Sequence, residues 1–539
     1  MNLVVAASHD ILYDPSSDLI RKPKKIRQEH IDWESYKTLA EQDYQRYDNL
    51  VQQLRGDIKL KDMEMCVNTL TDSLYNVANT LTPQNMNNNT PTTTTTDPMI
   101  VLADEVHKKW RRGECESSER DTIRNEVIDH LKTSAVSKER AAWANVLREK
   151  DSKAVWDKIN WKGKFDKSTV SSKPTLPDLA EHFMQKGKSV EDSTLLSDVV
   201  GDTHVPELDG EISVEEIKKA SDRLKDKSSG DGWVRGMVTN LPLCILYALQ
   251  IIYNAILSQH CYPTGWRTTL VNEIFKNKGK SEEAKNYRGI SLVALLSKLY
   301  DIILCNRFTK WFIPDDAQTA YQEGKSGADH VFLTRCMVQH LKRLKQKLFI
   351  VAFDFDGAFD RVSRSLLIRK LIRFGAGVIF VACVASMYMC TDNIIFRNRE
   401  YVMFKLYSGI KQGLPLSPML FIFYINDVFE TFRAVHGRCA DNIFKIIHLL
   451  VHADDLTLLA IDRNTVIEKL KTLRKYCDIN YIIPQVLKCK FITINGDTND
   501  NADLPFGDAY LKSVEHLEIL GSHVCNTCSL LDDLKLHMR

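Results

Sequence analysis

LLVHADDLTLLA, residues 449–460, places two adjacent carboxylates, Asp454 and Asp455, between two apolar runs. An apolar run, a short polar break and a second apolar run predict a β-hairpin. Adjacent aspartates at the tip of a buried hairpin repel one another and lose hydration, so they persist mainly where a divalent cation neutralises them. Paired aspartates are also ordinary solvated turn residues. The first hypothesis for this segment is nevertheless a metal site.

A second β-like apolar run lies upstream, in residues 348–359, LFIVAFDFDGAF. Asp354 lies near the end of this run, and Asp360 follows it. A carboxylate inside a strand is costly unless something binds it. If Asp354 lies beside the hairpin, three carboxylates converge, as expected for two Mg²⁺ ions in phosphoryl transfer. The chemistry that this arrangement implies is nucleotidyl transfer.

Between these two runs lies SGIKQGLPLSP, residues 408–418, a loop dense in glycine and proline. It leads into LFIFYINDVFETF, residues 420–432, whose apolar positions have helical spacing. We expect Ser417 to be the N-cap of this helix and Pro418 to be its first residue.

Taken in order, the three segments resemble motifs A, B and C of the reverse transcriptases of non-LTR (LINE-type) retrotransposons. The Asp-aromatic-x-x-Ala-Phe-Asp motif of that family corresponds to residues 354–360, its Gln-Gly-x-Pro-Leu-Ser-Pro motif to 412–418, and its Ala-Asp-Asp motif to 453–455. Residues 286–292, followed by Lys298 and Arg307, are similar to the family's fingers segment. The resemblance covers residues 211–524.

The resemblance implies an α+β fold, a right-hand polymerase with fingers and an antiparallel palm sheet, preceded by helical N-terminal segments. A low-complexity tract, QNMNNNTPTTTTTD, marks the clearest boundary because it cannot bury a core. The predicted divisions are a helical N-terminal region (1–83), this linker (84–97), a helical or mixed region (98–210), an N-terminal extension of the polymerase (211–265), the fingers (266–345), the palm with a turn that resembles the primer grip (346–524) and a truncated start of the thumb (525–539). We expect a fragment of a retrotransposon open reading frame that lacks the endonuclease and most of the thumb.

The same resemblance implies a role for individual residues. Asp354, Asp454 and Asp455 would hold two Mg²⁺ ions, or Mn²⁺, and Lys488 would protonate the pyrophosphate leaving group. The ring of Phe359 would lie beneath the sugar and exclude a ribose 2′-hydroxyl. The full set of nucleotide-binding candidates is Arg288, Lys276, Phe355, Phe359, Gln412 and Gly413.

Two positions depart from the family pattern. His452 stands where the family has Tyr or Phe before Ala-Asp-Asp, which brings a titratable ring close to the metal ligands. Asp356-Gly357 stands where family members usually carry a lysine. The additional carboxylate shares a strand face with Asp354 unless the chain turns at this point.

Composition agrees with an intracellular enzyme of this kind. The chain has 539 residues, 44% of them hydrophobic, with a net charge of +2 and 13 scattered cysteines, which favours reduced thiols over a disulfide framework. No segment predicts a signal peptide or a membrane span, so we expect a soluble protein of the nucleus or the cytoplasm. Its expected partners are an RNA template, a DNA primer and dNTP. An inactive remnant that binds RNA or acts as a scaffold, and an enzyme similar to group II intron maturases or telomerase, remain as alternatives.

Overall fold

The computed structural model describes residues 26–82, 173–186, 195–437 and 448–525, apart from positions 27, 57, 228, 277–278, 390 and 398–399, together with Thr122 and Glu126. The chain divides into two compact units, residues 1–82 with 174–539, and residues 83–173. The predicted linker at 84–97, most of the region 98–210 and residues 526–539 of the last predicted division lie outside the described residues. The predicted domain boundaries therefore remain predictions.

Helices precede the sheets, as expected. In chain order they are α1 (Trp33–Tyr44), α2 (Asp48–Gln53), α3 (Leu60–Leu81), α4 (Leu176–Lys186), α5 (Pro206–Asp209), α6 (Val214–Asp222), α7 (Arg235–Thr239), α8 (Leu243–Gln259) and α9 (Thr264–Arg267). Asp32 caps α1, because its carboxylate accepts from two backbone N–H groups of the first turn. Most apolar residues of α8 are buried.

The remaining elements alternate between strands and helices. They are β1 (Thr269–Phe275), β2 (Tyr287–Leu292), α10 (Leu295–Trp311), α11 (Gly327–Arg343), β3 (Leu348–Phe353), α12 (Arg364–Arg373), α13 (Val378–Tyr388), β4 (Thr391–Arg397), β5 (Glu400–Leu406), α14 (Leu416–Ile425), α15 (Asp427–His436), β6 (Leu449–His452), β7 (Asp455–Ala460), α16 (Arg463–Ile479), β8 (Lys490–Ile494), β9 (Leu504–Phe506), β10 (Ala509–Ser513), β11 (His516–Ile519) and β12 (Ser522–Cys525). The α+β class is thus confirmed.

The strands form two larger sheets and one hairpin. The palm sheet has the order β6-β7-β3-β8-β10-β9 and is antiparallel except where β8 and β10 pair. The second sheet has the order β2-β1-β4-β5, in which β1 and β4 are parallel. It joins two strands from the predicted fingers to two from the predicted palm. β11 and β12 form the hairpin that includes the turn resembling a primer grip.

Arg307 ties the polymerase extension to α10. Its guanidinium binds both carboxylate oxygens of Glu216, at 2.8 and 2.9 Å, and donates to three backbone carbonyls that precede α6. Glu216 also completes a capping box with Ser213 at the N-terminus of α6. One charge network therefore fixes α6 and the segment before it against α10.

The start of α14 differs from the prediction. The helix begins at Leu416 with Pro415 at the N-cap, two residues before the expected start at Pro418 with Ser417 at the N-cap. Asp301 on α10 provides the missing cap, because its Oδ2 accepts from the Leu416 N–H at 2.7 Å. Ser417 instead lies 3.2 Å from the Tyr388 hydroxyl. An acid distant in sequence therefore sets where this helix begins.

None of the helices in the described ranges is long and apolar enough to cross a membrane.

Candidate active site

The β6–β7 hairpin places its two aspartates at one end of the palm sheet. His452 pairs with Asp455, so Ala453 and Asp454 form a two-residue turn. Ala453 has a φ of 56°, a left-handed conformation of the kind that tight hairpin turns require. The hairpin predicted from the apolar pattern is confirmed.

Asp354 follows the strand next to this hairpin. β3 pairs antiparallel with β7, and the last paired residues are Phe353 and Leu456. The next residue beyond Phe353 is Asp354, and the residue before Leu456 is Asp455, so the register brings these two acids to neighbouring positions. The acids of motifs A and C therefore lie at the same end of the sheet.

These acids influence one another electrostatically. Asp454 and Asp455 are exposed to solvent, yet the protein around them removes part of their hydration and raises both pKa values. The pKa of Asp455 rises to about 6, first through this desolvation and then through the charges of Asp454 and Asp354. The positive charge of Arg288 opposes the rise at Asp454. A bound cation would stabilise the ionised acids in the same way.

Lys488 is paired with one of these acids, since its Nζ lies 3.0 Å from Asp354 Oδ2. Within the described ranges, no group of three or more His, Cys, Asp or Glu side chains is arranged as a formed metal site. The chemistry of the donor set still fits a hard divalent cation, because these acids offer carboxylate oxygens. A carboxylate has two oxygens, so Asp354 can pair with Lys488 through Oδ2 and offer Oδ1 to a cation.

Asp356 has a partner of its own. The Arg361 guanidinium donates to its Oδ2 at 2.7 Å and, through Nε, to its backbone carbonyl at 2.9 Å. The chain turns at Gly357, which has a φ of 59°. The chain therefore turns at this point, which the sequence alone did not decide. Arg361 neutralises the additional carboxylate.

Two candidate phosphate-binding cations belong to the β1–β2 hairpin. Arg288 is exposed on β2, and Lys276 directly follows β1 and donates to the Lys285 carbonyl at 2.7 Å. The pKa of Lys276 falls to about 8, first because of burial and then because of the like charges of Lys186 and Arg288. Several cations thus crowd together beside the acids.

The loop of motif B contacts both the palm and the second sheet. Gln412 donates from Nε2 to Asp360 Oδ1 at 2.9 Å, and its carbonyl accepts from the Ser291 N–H at 2.7 Å. Gly413 has a φ of 135°, and a Cβ placed on it would lie 2.5 Å from the Ser291 carbonyl oxygen. Glycine is therefore required here by the approach of β2.

Arg364 holds the segment that leads into this loop. Its buried guanidinium lies over the Tyr388 ring, 5.6 Å from the centroid. It donates to the carbonyls of Gly409, Tyr388, Leu406 and Ser408 and to the Thr391 hydroxyl. Because one buried guanidinium binds acceptors on five residues, the arginine fixes the conformation of the segment.

The two aromatic candidates of motif A occupy different environments. Phe359 is half-buried and stacks on Phe421, with ring centroids 4.8 Å apart. Phe355 is only 6% exposed and belongs to the main hydrophobic core. Adjacent side chains of an extended segment point to opposite faces, so Phe355 lies on the face away from Asp354. We therefore correct its predicted nucleotide contact and assign its ring to the core.

His452 is half-buried beside the turn. Its Nδ1 lies 3.0 Å from the Thr319 hydroxyl oxygen. Burial lowers the pKa of the imidazole, and the negative charge of Asp454 opposes this change. The lowered pKa favours the neutral form of the ring.

The structure adds two residues to those predicted. Asp360 was recognised only as the end of motif A, and it now binds the Gln412 amide. Lys186, at the end of α4, lies 3.9 Å from Asp360 Oδ2. The position of Lys186 depends on how α4 packs, so no local pattern around it indicates an active-site residue.

A comparison with protein families agrees with this geometry. Residues 275–524 match the family model described as reverse transcriptase (RNA-dependent DNA polymerase). These residues are similar to reverse transcriptase domains. The matched region contains every site residue predicted from the sequence, whereas Lys186 lies before it.

Similar proteins come from transposable elements. A probable RNA-directed DNA polymerase from transposon BS of Drosophila melanogaster is 29% identical over 46% of this chain and 28% of its own length. The RNA-directed DNA polymerase from mobile element jockey of the same species is 22% identical over 50% of this chain and 29% of its own length. A Pol polyprotein from the type-1 element R2 of Bradysia coprophila is 27% identical over 32% of this chain and 20% of its own length. The predicted resemblance to non-LTR retrotransposons is confirmed, although the match spans less than a third of each relative.

Proposed function

We propose that this chain is an RNA-directed DNA polymerase, which transfers a nucleotide from dNTP to the 3′-hydroxyl of a DNA primer on an RNA template. The observation that carries the proposal is the strand register that brings Asp354 next to Asp455 at the end of the palm sheet. Three acids on one side and several cations on the other suit a reaction between a hydroxyl and a triphosphate.

In this proposal Asp354, Asp454 and Asp455 hold two Mg²⁺ ions, or Mn²⁺. When bound, such ions lower the pKa of the primer hydroxyl and neutralise the triphosphate. The carboxylates orient the ions through oxygens that the end of the sheet fixes in place. Lys488, exposed and paired with Asp354, is the residue proposed to protonate the pyrophosphate leaving group.

The remaining residues bind and select the nucleotide. Lys276 and Arg288 bind its phosphates, because a spread negative charge is best stabilised by several convergent cations. Gln412 and Gly413 lie against the nucleotide on a loop that Asp360 and β2 hold in place. Phe359, stacked on a second ring, supports the sugar and selects against a 2′-hydroxyl.

The test is extension of a DNA primer on an RNA template by the purified chain with Mg²⁺ and dNTP. We expect extension by the wild type and none above background by Asp454→Asn, since the amide cannot replace a metal-binding carboxylate. Asp508→Asn is the matched control, because Asp508 is exposed in the turn between β9 and β10.

Binding of labelled RNA separates catalysis from folding. The Asp454→Asn chain should bind RNA as the wild type does, and in both the affinity should fall as salt rises, because lysines and arginines contact phosphates. No extension by a wild-type chain that binds RNA would overturn the proposal in favour of an inactive, RNA-binding remnant. Equal extension by wild type and Asp454→Asn would refute the metal site.

A further inference from the structure

Helix α4 packs its apolar face against the second sheet. The apolar residues of this contact, from the helix and from the strands, form a cluster separate from the main core: Leu176, Leu179, Ala180, Phe183, Val271, Tyr287, Ile395 and Phe404. Phe183 stacks on Phe404 with ring centroids 6.3 Å apart. The beginning of the helix is fixed too, because Thr175 and Asp178 cap it reciprocally.

Lys186 continues this buried face. It lies seven residues after Leu179 and three after Phe183, and residues with these spacings share one side of a helix. Its side chain is accordingly only 15% exposed. Packing of the helix therefore directs the lysine toward the protein rather than into solvent.

The Lys186 side chain reaches the turn that follows Asp354. Its Cδ would lie 3.5 Å from a Cβ placed on Gly357, and its Nζ lies 3.9 Å from Asp360 Oδ2. A separation of 3.9 Å is at the outer limit of an ion pair, and the other oxygen of Asp360 already accepts from Gln412. Asp360 alone therefore does not saturate the lysine's three donors.

Around the Gly357 turn, the cations Lys186, Lys276 and Arg361 lie beside two acids, Asp356 and Asp360. Two of the nearby acids have close partners, since Asp356 pairs with Arg361 at 2.7 Å and Asp354 with Lys488 at 3.0 Å. Lys186 and Lys276 share Asp360, and Arg288, which is near Lys276, also interacts with Asp454.

The clustered positive charges help to lower the pKa values of neighbouring groups. Burial and then the Lys186 charge lower the pKa of Lys276 to about 8 and that of His182 to about 4. Like charges held together in this way are stabilised by a polyanion.

We propose that Lys186 binds the phosphates of the incoming nucleoside triphosphate together with Lys276 and Arg288. This inference rests on the proposed polymerase function and extends it to a helix that precedes the matched region at residues 275–524. The nucleotide site is then incomplete in a chain that begins with that region.

The test compares Lys186→Met, which keeps the buried stem, with Lys186→Arg, which keeps the charge. In primer extension by the full chain, Lys186→Met should raise the KM for dNTP about tenfold, as expected for loss of one charge-assisted hydrogen bond. The kcat should change far less, and Lys186→Arg should have a KM close to that of the wild type. The control is Lys471→Met, because Lys471 is 63% exposed on α16 and pairs with Glu468.

A second readout does not require polymerisation. Inorganic tripolyphosphate, titrated calorimetrically into the full chain, should bind the wild type and Lys186→Arg more tightly than Lys186→Met. A structural role alone would lower the melting temperature of Lys186→Met without changing tripolyphosphate affinity, and this outcome would overturn the inference.

The two proposals fail in different ways. Polymerisation with an unchanged KM and unchanged tripolyphosphate affinity in Lys186→Met would overturn the role of Lys186 and leave the polymerase function intact. A wild-type chain that neither extends primers nor binds tripolyphosphate would overturn both. Weaker tripolyphosphate binding by Lys186→Met in a chain without polymerase activity would support a polyphosphate site while removing the polymerase function.

Discussion

Replacing Gly413 by alanine tests how the motif B loop is held against the second sheet. The added Cβ would lie 2.5 Å from the Ser291 carbonyl oxygen, at a φ of 135°. Gly201 offers a matched control, because its φ is 139° and nothing lies within 4 Å of a Cβ placed on it. The two substitutions, Gly413→Ala and Gly201→Ala, therefore introduce similar backbone strain, but only the first also introduces a steric clash.

The magnitude follows from these contacts. Alanine at such a φ costs about 1–3 kcal/mol, and both substitutions incur this cost unless the chain relaxes. To relieve the clash, the Gly413 segment has to move by about 1 Å, the distance to ordinary van der Waals contact. That movement breaks or stretches the 2.7 Å hydrogen bond from Ser291 N–H to the Gln412 carbonyl, worth about 0.5–1.5 kcal/mol. We expect Gly413→Ala to lower the free energy of unfolding by about 2–4 kcal/mol, and Gly201→Ala by less.

Activity should respond more strongly than stability. The same movement displaces the Gln412 amide from Asp360, so the loop no longer presents a fixed surface to the nucleotide. We expect Gly413→Ala to lose at least about tenfold in kcat/KM for dNTP, because small misplacements in an active site are costly. Denaturant titration and primer extension of both variants provide the measurements. Equal stability and equal kcat/KM in Gly413→Ala and Gly201→Ala would refute the reasoning.

Three further predictions concern other parts of the site and its support. Arg364→Gln should lower the free energy of unfolding by about 3–5 kcal/mol, because several buried carbonyls lose a donor. Arg369 is exposed on α12, so Arg369→Gln should change the free energy of unfolding little; denaturant titration measures both. Burial raises the pKa of Asp301 to about 7, so between pH 4 and 7 the folded chain binds a proton that the unfolded chain does not. The free energy of unfolding of the wild type, relative to that of Asp301→Asn, should therefore fall by about 2–4 kcal/mol as pH rises from 4 to 7. Denaturation at several pH values that shows no such difference would contradict this. Phe359→Val removes the ring stacked on Phe421 and should lower the preference for dNTP over rNTP about tenfold or more in competitive primer extension, and an unchanged preference would assign Phe359 to packing alone.

Local patterns predicted the elements that carry the acids. The alternation of apolar runs around Asp454 and Asp455 predicted the β6–β7 hairpin, and the run before Asp354 predicted β3. A hairpin is a contact between neighbours in the chain, so its signal lies within a few residues. The proximity of Asp354 to the hairpin was a hypothesis at the level of sequence, and the register between β3 and β7 supplies it.

Features that depend on distant contacts were missed. The start of α14 is set by Asp301, which is remote in sequence, so Ser417 was wrongly chosen as the cap. The parallel pairing of β1 with β4 joins the predicted fingers to the predicted palm, and no local sequence pattern indicates it. Lys186 reaches Asp360 only because the apolar face of α4 packs on that sheet. Phe355 is a different case, since strand alternation beside Asp354 already places its ring in the core.

The most direct test of the central claim is the number of Mn²⁺ ions that the full chain binds with primer, template and dNTP, measured by electron paramagnetic resonance. The account predicts two ions per wild-type chain, loss of ions in Asp354→Asn and in Asp454→Asn, and the wild-type number in Asp508→Asn. The same ion count and affinity in all four proteins would contradict a metal centre formed by these carboxylates.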